Sequence, residues 1–264
     1  VSDEPGNRDG EEQEEQLAEG TLLSHLMELR TRLIRISIAV IGMFVILLPF
    51  SQKIFVIVSQ PLVDVLPGQK MIATAVASPL LTPFKLTFFV ALFVAMPVVL
   101  YQVWAFVAPG LYRKEKRFAF PLLGSSILLF YAGIAFAYFV VFELVFGFFA
   151  SVTPQSVEMM TDIAAYLDFI TKIFLAFGLA FEVPVATVLI VWTGLTTPEK
   201  LGKARPYVFL MAFVMGMFLT PPDVISQTLL AVPVYLLYEL GILMSRLFSR
   251  ERRRDSDETV AADS

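Results

Sequence analysis

From Phe118 to Phe149 the chain is predominantly apolar for 32 residues, longer than the roughly 20 helical residues that cross the ~30 Å hydrocarbon core of a bilayer. A helix of that length must tilt or protrude. Stretches of the same character recur at Leu33 to Phe50, Lys85 to Val107, Leu167 to Trp192 and Ile225 to Leu243. A sixth, Val208 to Leu219, is apolar but reaches only about 18 Å at 1.5 Å per residue. With 57% hydrophobic and 17% charged residues, an ordinary soluble domain is excluded. The expected fold is an all-α polytopic membrane protein of about six transmembrane helices, the last two short.

The breaks between these runs are informative. Ser51 to Pro83 holds Pro61, Pro67, Gly68, Pro79 and Pro83 but also Ile54 to Val58. It is too broken for a span and too apolar for a free linker, so a short helix and an extended segment are expected as a cap on the membrane surface. Proline falls inside three spans, at Met96-Pro97-Val98, Val183-Pro184-Val185 and Val232-Pro233-Val234. Each removes a helical hydrogen bond and should bend its helix, which makes a concave bundle. The turn Thr220-Pro221-Pro222-Asp223 separates the short sixth run from Ile225 onward. That pair is either two spans that thin the bilayer locally or a re-entrant hairpin.

Basic residues fall on alternate ends of the spans: Arg30, Arg32 and Arg35; Arg113, Lys114, Lys116 and Arg117; Lys200, Lys203 and Arg205; then Arg246, Arg250, Arg252, Arg253 and Arg254. The intervening loops hold only Lys53 and Lys70. The positive-inside rule therefore predicts both termini in the cytoplasm. Residues 1–20, with eight acids against Arg8 alone, are expected to be a disordered acidic tail. Residues 21–248 form a single transmembrane domain and 249–264 a cytoplasmic polar tail. No cleavable signal peptide is expected, because the first apolar run is long enough to span and lacks a small-residue cleavage pattern after it.

Catalytic chemistry finds no motif. There is no cysteine and a single histidine, His25, so thiolate catalysis and a histidine-based metal cage lack the residues they need. Phosphate-loop, His-Glu-x-x-His and Gly-x-Ser-x-Gly patterns are absent. No enzyme activity, cofactor, metal or nucleic-acid partner is expected.

The charged residues that remain are candidates for binding. Thr21 to Arg35 carries Leu22, Leu26, Leu29 and Leu33 on one stripe, an amphipathic helix lying at the membrane surface before the first span. Its Glu28 either pairs with Arg32 at i,i+4, worth a few tenths of a kcal/mol, or receives a cation from a partner. Glu115, amid Arg113, Lys114, Lys116 and Arg117, either balances charge or does the same. Glu182 sits near the middle of the fourth span, where a charge costs about 2.5 to 3.5 kcal/mol on insertion scales, so it should face protein, water or a partner. Its bland alternative is a hydrogen bond to another helix. Thr220 and Gln227, at the outer end of the final pair, form a second polar patch.

Five segments together resemble the TatC family, the multispanning subunit of the twin-arginine protein translocase. They are His25-Leu-Met-Glu-Leu-Arg30; Met71 to Thr74 with Ala77-Ser-Pro79; Tyr101 to Phe106 leading into Pro109-Gly-Leu-Tyr112 and Glu115; Phe181-Glu-Val-Pro184; and Leu219-Thr-Pro-Pro-Asp223 with Gln227. The resemblance implies a receptor for folded exported proteins whose signal peptides carry paired arginines, driven by the protonmotive force. It implies that Glu28 and Glu115 bind those arginines, with Leu22, Arg30 and Phe106 shaping the same site. Glu182 would be the polar residue of the concave surface, and Met217, Thr220 and Gln227 the docking site for TatB-like and TatA-like single-span subunits in an oligomeric complex. Pro61 and Asp162 would belong to the outward cap. Leu80 departs from the aromatic expected there, and the acidic segment to Gly20 lies outside the pattern. The rival readings are a proton-coupled secondary transporter of a small solute that relays protons through Glu182, and a purely structural scaffold.

Overall fold

The computed structural model describes the backbone of residues 8–65, 71–107, 116–154, 160–220 and 223–262, and side chains within 26–60, 71–106, 121–154, 160–220 and 223–247. Every element is helical. Helix α1 (Arg8–Leu47) passes through one 3-10 turn, Leu48–Phe50, directly into α2 (Ser51–Val65). Helix therefore continues past Phe50 with no gap. Helix α1 takes in the acidic segment from Arg8 onward, and acids at the amino end of a helix are favourably placed in its macrodipole.

Helices α3 (Ser78–Val94) and α4 (Met96–Val107) follow. They meet at Ala95 with a bend of 52°. Pro97 is the second residue of α4, a position where a missing N–H leaves nothing unpaired, so the proline starts a new helix in a new direction. The long third run is α5 (Lys116–Phe136), a π-helical turn at Ala137–Val141, and α6 (Phe142–Val152). The fourth is α7 (Ile163–Ala180) and α8 (Val183–Trp192), interrupted at Phe181 and Glu182, with Pro184 again at the start of the second piece. A short α9 (Pro198–Lys203) leads to α10 (Arg205–Leu219) and α11 (Val224–Ala262). The expected bend at Pro233 takes a different form: α11 runs through that proline as one unbroken helix.

Four stretches are long and apolar enough to cross a membrane: Leu26–Gln60, Pro121–Val152, Ile163–Trp192 and Val224–Leu247. The bent pair α3 and α4 makes a fifth. Helix α10 has 15 residues, about 22 Å at 1.5 Å per residue, and remains the short member of the set.

In lipid, apolar side chains gain little by leaving a solvent as apolar as themselves, so close packing and small residues hold helices together. The core is a stack of aromatic and branched side chains: Phe130, Phe142, Phe177, Ile170 and Ile173 are all essentially inaccessible. Phe142 and Phe174 meet edge-on with centroids 5.1 Å apart. Glycine permits the approach of α5 to α7 at two points. A Cβ on Gly178 would lie 2.6 Å from the Phe130 ring, and one on Gly133 would lie 2.5 Å from the Phe177 carbonyl oxygen. Both contacts join α5 to α7.

At one end of the bundle, α2 and the 71–77 segment are fastened to the helices that follow. Tyr138 and Tyr166 donate to the carbonyls of Ile57 and Val58 at 3.2 Å each. Ile72 pairs with the start of α7 through Ile72 N to Thr161 O at 3.0 Å and Ile163 N to Ile72 O at 2.9 Å. Lys85 of α3 and Asp168 of α7 form an ion pair at 2.5 Å just below.

Candidate functional site

Arg32 organises the corner where α1 meets α4. Its Nε donates to Glu28 Oε1 at 3.0 Å, and Nη2 reaches the same oxygen. Nη1 donates to Gln102 Oε1 at 3.3 Å and Nη2 to the Ala105 carbonyl at 3.0 Å. Ala105 lies in the last turn of α4, where carbonyls lack intrahelical donors and a cation is favoured. The i,i+4 pair anticipated from spacing is thus present, and it also ties two helices together. Glu28 is the more accessible partner, 41% exposed against 17% for Arg32. Met27, Glu28, Thr31, Arg32 and Arg35 line an open hollow of about 340 Å³.

Phe106 follows Ala105 in α4 and is half-buried in the same corner. Arg30 is exposed. Two residues along from Glu28, it points away from that face, because residues i and i+2 do not share one. Glu115 lies outside the described residues, as do the side chains of Leu22 and Pro61.

Glu182 occupies the break between α7 and α8. Trp104 Nε1 of α4 donates to Ser126 Oγ at 3.1 Å, and Ser126 of α5 donates onward to Glu182 Oε2. Three spans are linked by this relay. The second oxygen, Oε1, is buried with no hydrogen-bond partner among the described residues. Sequence reasoning missed Trp104 and Ser126. The available signal was that an indole N–H and a serine hydroxyl within apolar helices need partners, since lipid offers none.

The final helix pair brings the other polar candidates together. Gln227 Nε2 donates to the Phe213 carbonyl at 2.6 Å, and its side chain lies against Gly216. Thr220 is buried and donates to the Gly216 carbonyl at 3.0 Å. Gln227 therefore joins α11 to α10 and Thr220 closes the end of α10, whereas Met217 is half-exposed. A second pairing was also missed: Arg205 grips Glu239 with Nε to Oε1 at 2.6 Å and Nη2 to Oε2 at 2.7 Å, and Tyr235 adds a bond of 3.0 Å to Oε1.

At the cap, Asp162 is the N-cap of α7 and accepts from Ala164 N at 2.9 Å and Ala165 N at 3.0 Å. It also accepts from Thr74 N and Oγ1. These donors, the Thr74 hydroxyl foremost, lower its pKa to about 2.

The fold and the sequence of this chain both match known proteins. The sequence profile described as "Sec-independent protein translocase protein (TatC)" matches residues 24–233. The chain belongs to the TatC family. It is 59% identical over 243 residues to the Sec-independent protein translocase protein TatC of Azotobacter chroococcum mcd 1, covering 92% of this chain and 93% of that one. To the protein of the same name from Escherichia coli (strain K12) it is 58% identical over 228 residues, covering 86% and 88%. A crystal structure of the twin arginine translocase receptor TatC is similar with a TM-score of 0.77 at 38% identity, covering 84% of this chain and 98% of that one. The TatC match takes in every candidate site residue except Leu22, which precedes it.

Proposed function

We propose that the chain is the signal-peptide receptor and core subunit of a twin-arginine translocase in the cytoplasmic membrane. It exports folded proteins at the expense of the protonmotive force, with both termini in the cytoplasm. Glu28 and Glu115 receive the paired arginines of the signal peptide at headgroup level, Leu22, Arg30 and Phe106 shape the site, and the apolar part of the signal lies along the bent spans. Met217, Thr220 and Gln227 dock TatB-like and TatA-like single-span subunits, and Pro61 and Asp162 belong to the outward cap. The bilayer thinned beside α10 eases passage. The chain works as a binding and assembly subunit, not as a catalyst.

The observation that carries this reading is the Glu28 carboxylate at the α1–α4 corner, exposed by 41% and already engaged by a guanidinium. Charge-assisted bonds of that kind are the strong ones. The test is binding of a twin-arginine peptide to the purified chain. Glu28→Gln combined with Glu115→Gln should abolish it while the protein stays folded, and unchanged binding would refute the assignment.

The buried Oε1 of Glu182, without a hydrogen-bond partner among the described residues, favours a second reading, proton-coupled transport of a small solute. That reading requires solute uptake by the chain alone in proteoliposomes, lost in Glu182→Gln.

A further inference from the structure

The receptor reading gives Arg32 no task, yet its guanidinium donates to Glu28, Gln102 and the Ala105 carbonyl. We infer that Arg32 is a built-in competitor for the recognition carboxylate: its guanidinium holds Glu28, and a guanidinium arriving from a peptide must displace it. This inference rests on the receptor reading of Glu28.

Three observations support the role. The first is chemical identity. Arg32 presents Nε at 3.0 Å and Nη2 to Glu28 Oε1, the same donor set that a peptide arginine would bring.

The second is an independent tether. Arg32 also donates to Gln102 Oε1 at 3.3 Å and to the Ala105 carbonyl at 3.0 Å. That carbonyl belongs to the last turn of α4, where unpaired oxygens and the helix dipole favour a cation. When Glu28 lets go, Arg32 is not left as a stranded charge. It stays on α4, so exchange at Glu28 has a low cost.

The third is the asymmetry of exposure. Glu28, at 41%, is open to an approaching ligand, whereas Arg32, at 17%, lies behind it. The ligand thus meets the carboxylate before it meets the competitor.

The consequence is a threshold. Internal pairing subtracts the same free energy from every cationic peptide that uses Glu28. Weak single-cation segments fall below useful affinity while a paired-arginine ligand stays above it. A residue that also ties α1 to α4 would then set how strongly a signal must bind.

The experiment uses the full chain purified in detergent and a fluorescent synthetic peptide with an Arg-Arg pair before an apolar stretch. Arg32→Gln should bind the peptide about three- to tenfold tighter than the parent, the scale of a partly exposed ion pair. Arg32→Lys keeps the positive charge and the cation at the end of α4 but loses the two-pronged grip on Glu28, and should fall between the two. In a Glu28→Gln background the gain from Arg32→Gln should vanish. The inference is overturned if Arg32→Gln binds no tighter, if Arg32→Lys matches the parent so that only net charge counts, or if the gain persists without Glu28. Should Arg32→Gln fail to fold, Arg32→Lys decides alone. A parent chain that binds no twin-arginine peptide fails the receptor reading itself, which is a separate result.

Discussion

Thr74 donates twice to one carboxylate oxygen of Asp162, from its backbone N at 3.0 Å and from its hydroxyl at 2.7 Å. Residues 88 apart in sequence are thereby fastened, and the segment between α2 and α3 is held to the start of α7. The same carboxylate caps α7, so one ionised group serves two elements.

This arrangement predicts an acid-sensitive cap. The Asp162 pKa is lowered to about 2 from an ordinary value near 3.8, so its stabilisation is complete above the ordinary value and is lost as pH falls from there through about 2. Protection of residues 71–77 against hydrogen exchange, taken relative to the intrinsic amide rate at each pH, should fall across that window. Asp162→Asn should show low protection at neutral pH already, with no further loss of protection in acid.

Gly178 predicts a packing penalty. A Cβ there meets the Phe130 ring at 2.6 Å, so Gly178→Ala should cost about 1–3 kcal/mol by overpacking. Gly124→Ala is the control, because nothing lies within 4 Å of a Cβ at that position. Thermal melting in detergent should separate the two.

Ser126→Ala predicts loss of a relay rather than of bulk. It leaves Trp104 Nε1 and Glu182 Oε2 without the partner they share, a loss of about 1–3 kcal/mol for unsatisfied buried groups. Combining it with Trp104→Phe, which removes the orphaned donor, should recover part of the loss. Strictly additive melting shifts would show that the three groups do not act as a chain.

Arg205 and Glu239 predict charge complementarity between α10 and α11. Arg205→Glu or Glu239→Arg alone should lower the melting temperature, and the two together should restore much of it. Failure of the swap to rescue would mean that the pair contributes nothing beyond proximity.

What could be read from the sequence follows the range of the forces involved. Apolar runs report burial in lipid residue by residue, so the spans were legible, as was the shortness of α10. Glu28 and Arg32 were legible as a pair because one helical turn separates them. Arg205 and Glu239 were not, at 34 residues apart, nor was the contact of Ser126 with Glu182 across 56, since partner choice over such distances is set by packing that periodicity does not encode. Proline shows the same limit. Pro97 and Pro184 open new helical pieces, while Pro233 is carried inside a continuous helix, and the flanking residues in the sequence are much alike.

The π-helical turn at Ala137–Val141 has a consequence for how this chain can change. A widened turn accommodates one extra residue, and each residue advances a helix by about 100°. The two halves of the span are therefore set out of phase: Ser126 and Phe130 address α4 and α7 from one, Phe142 and Phe146 address α7 from the other. The turn absorbs that extra residue, so removing one residue within it would close it to an ordinary α-helical turn and leave both halves on their present neighbours. Adding a residue there, with no further widening to absorb it, would swing one half off its neighbours by about 100°.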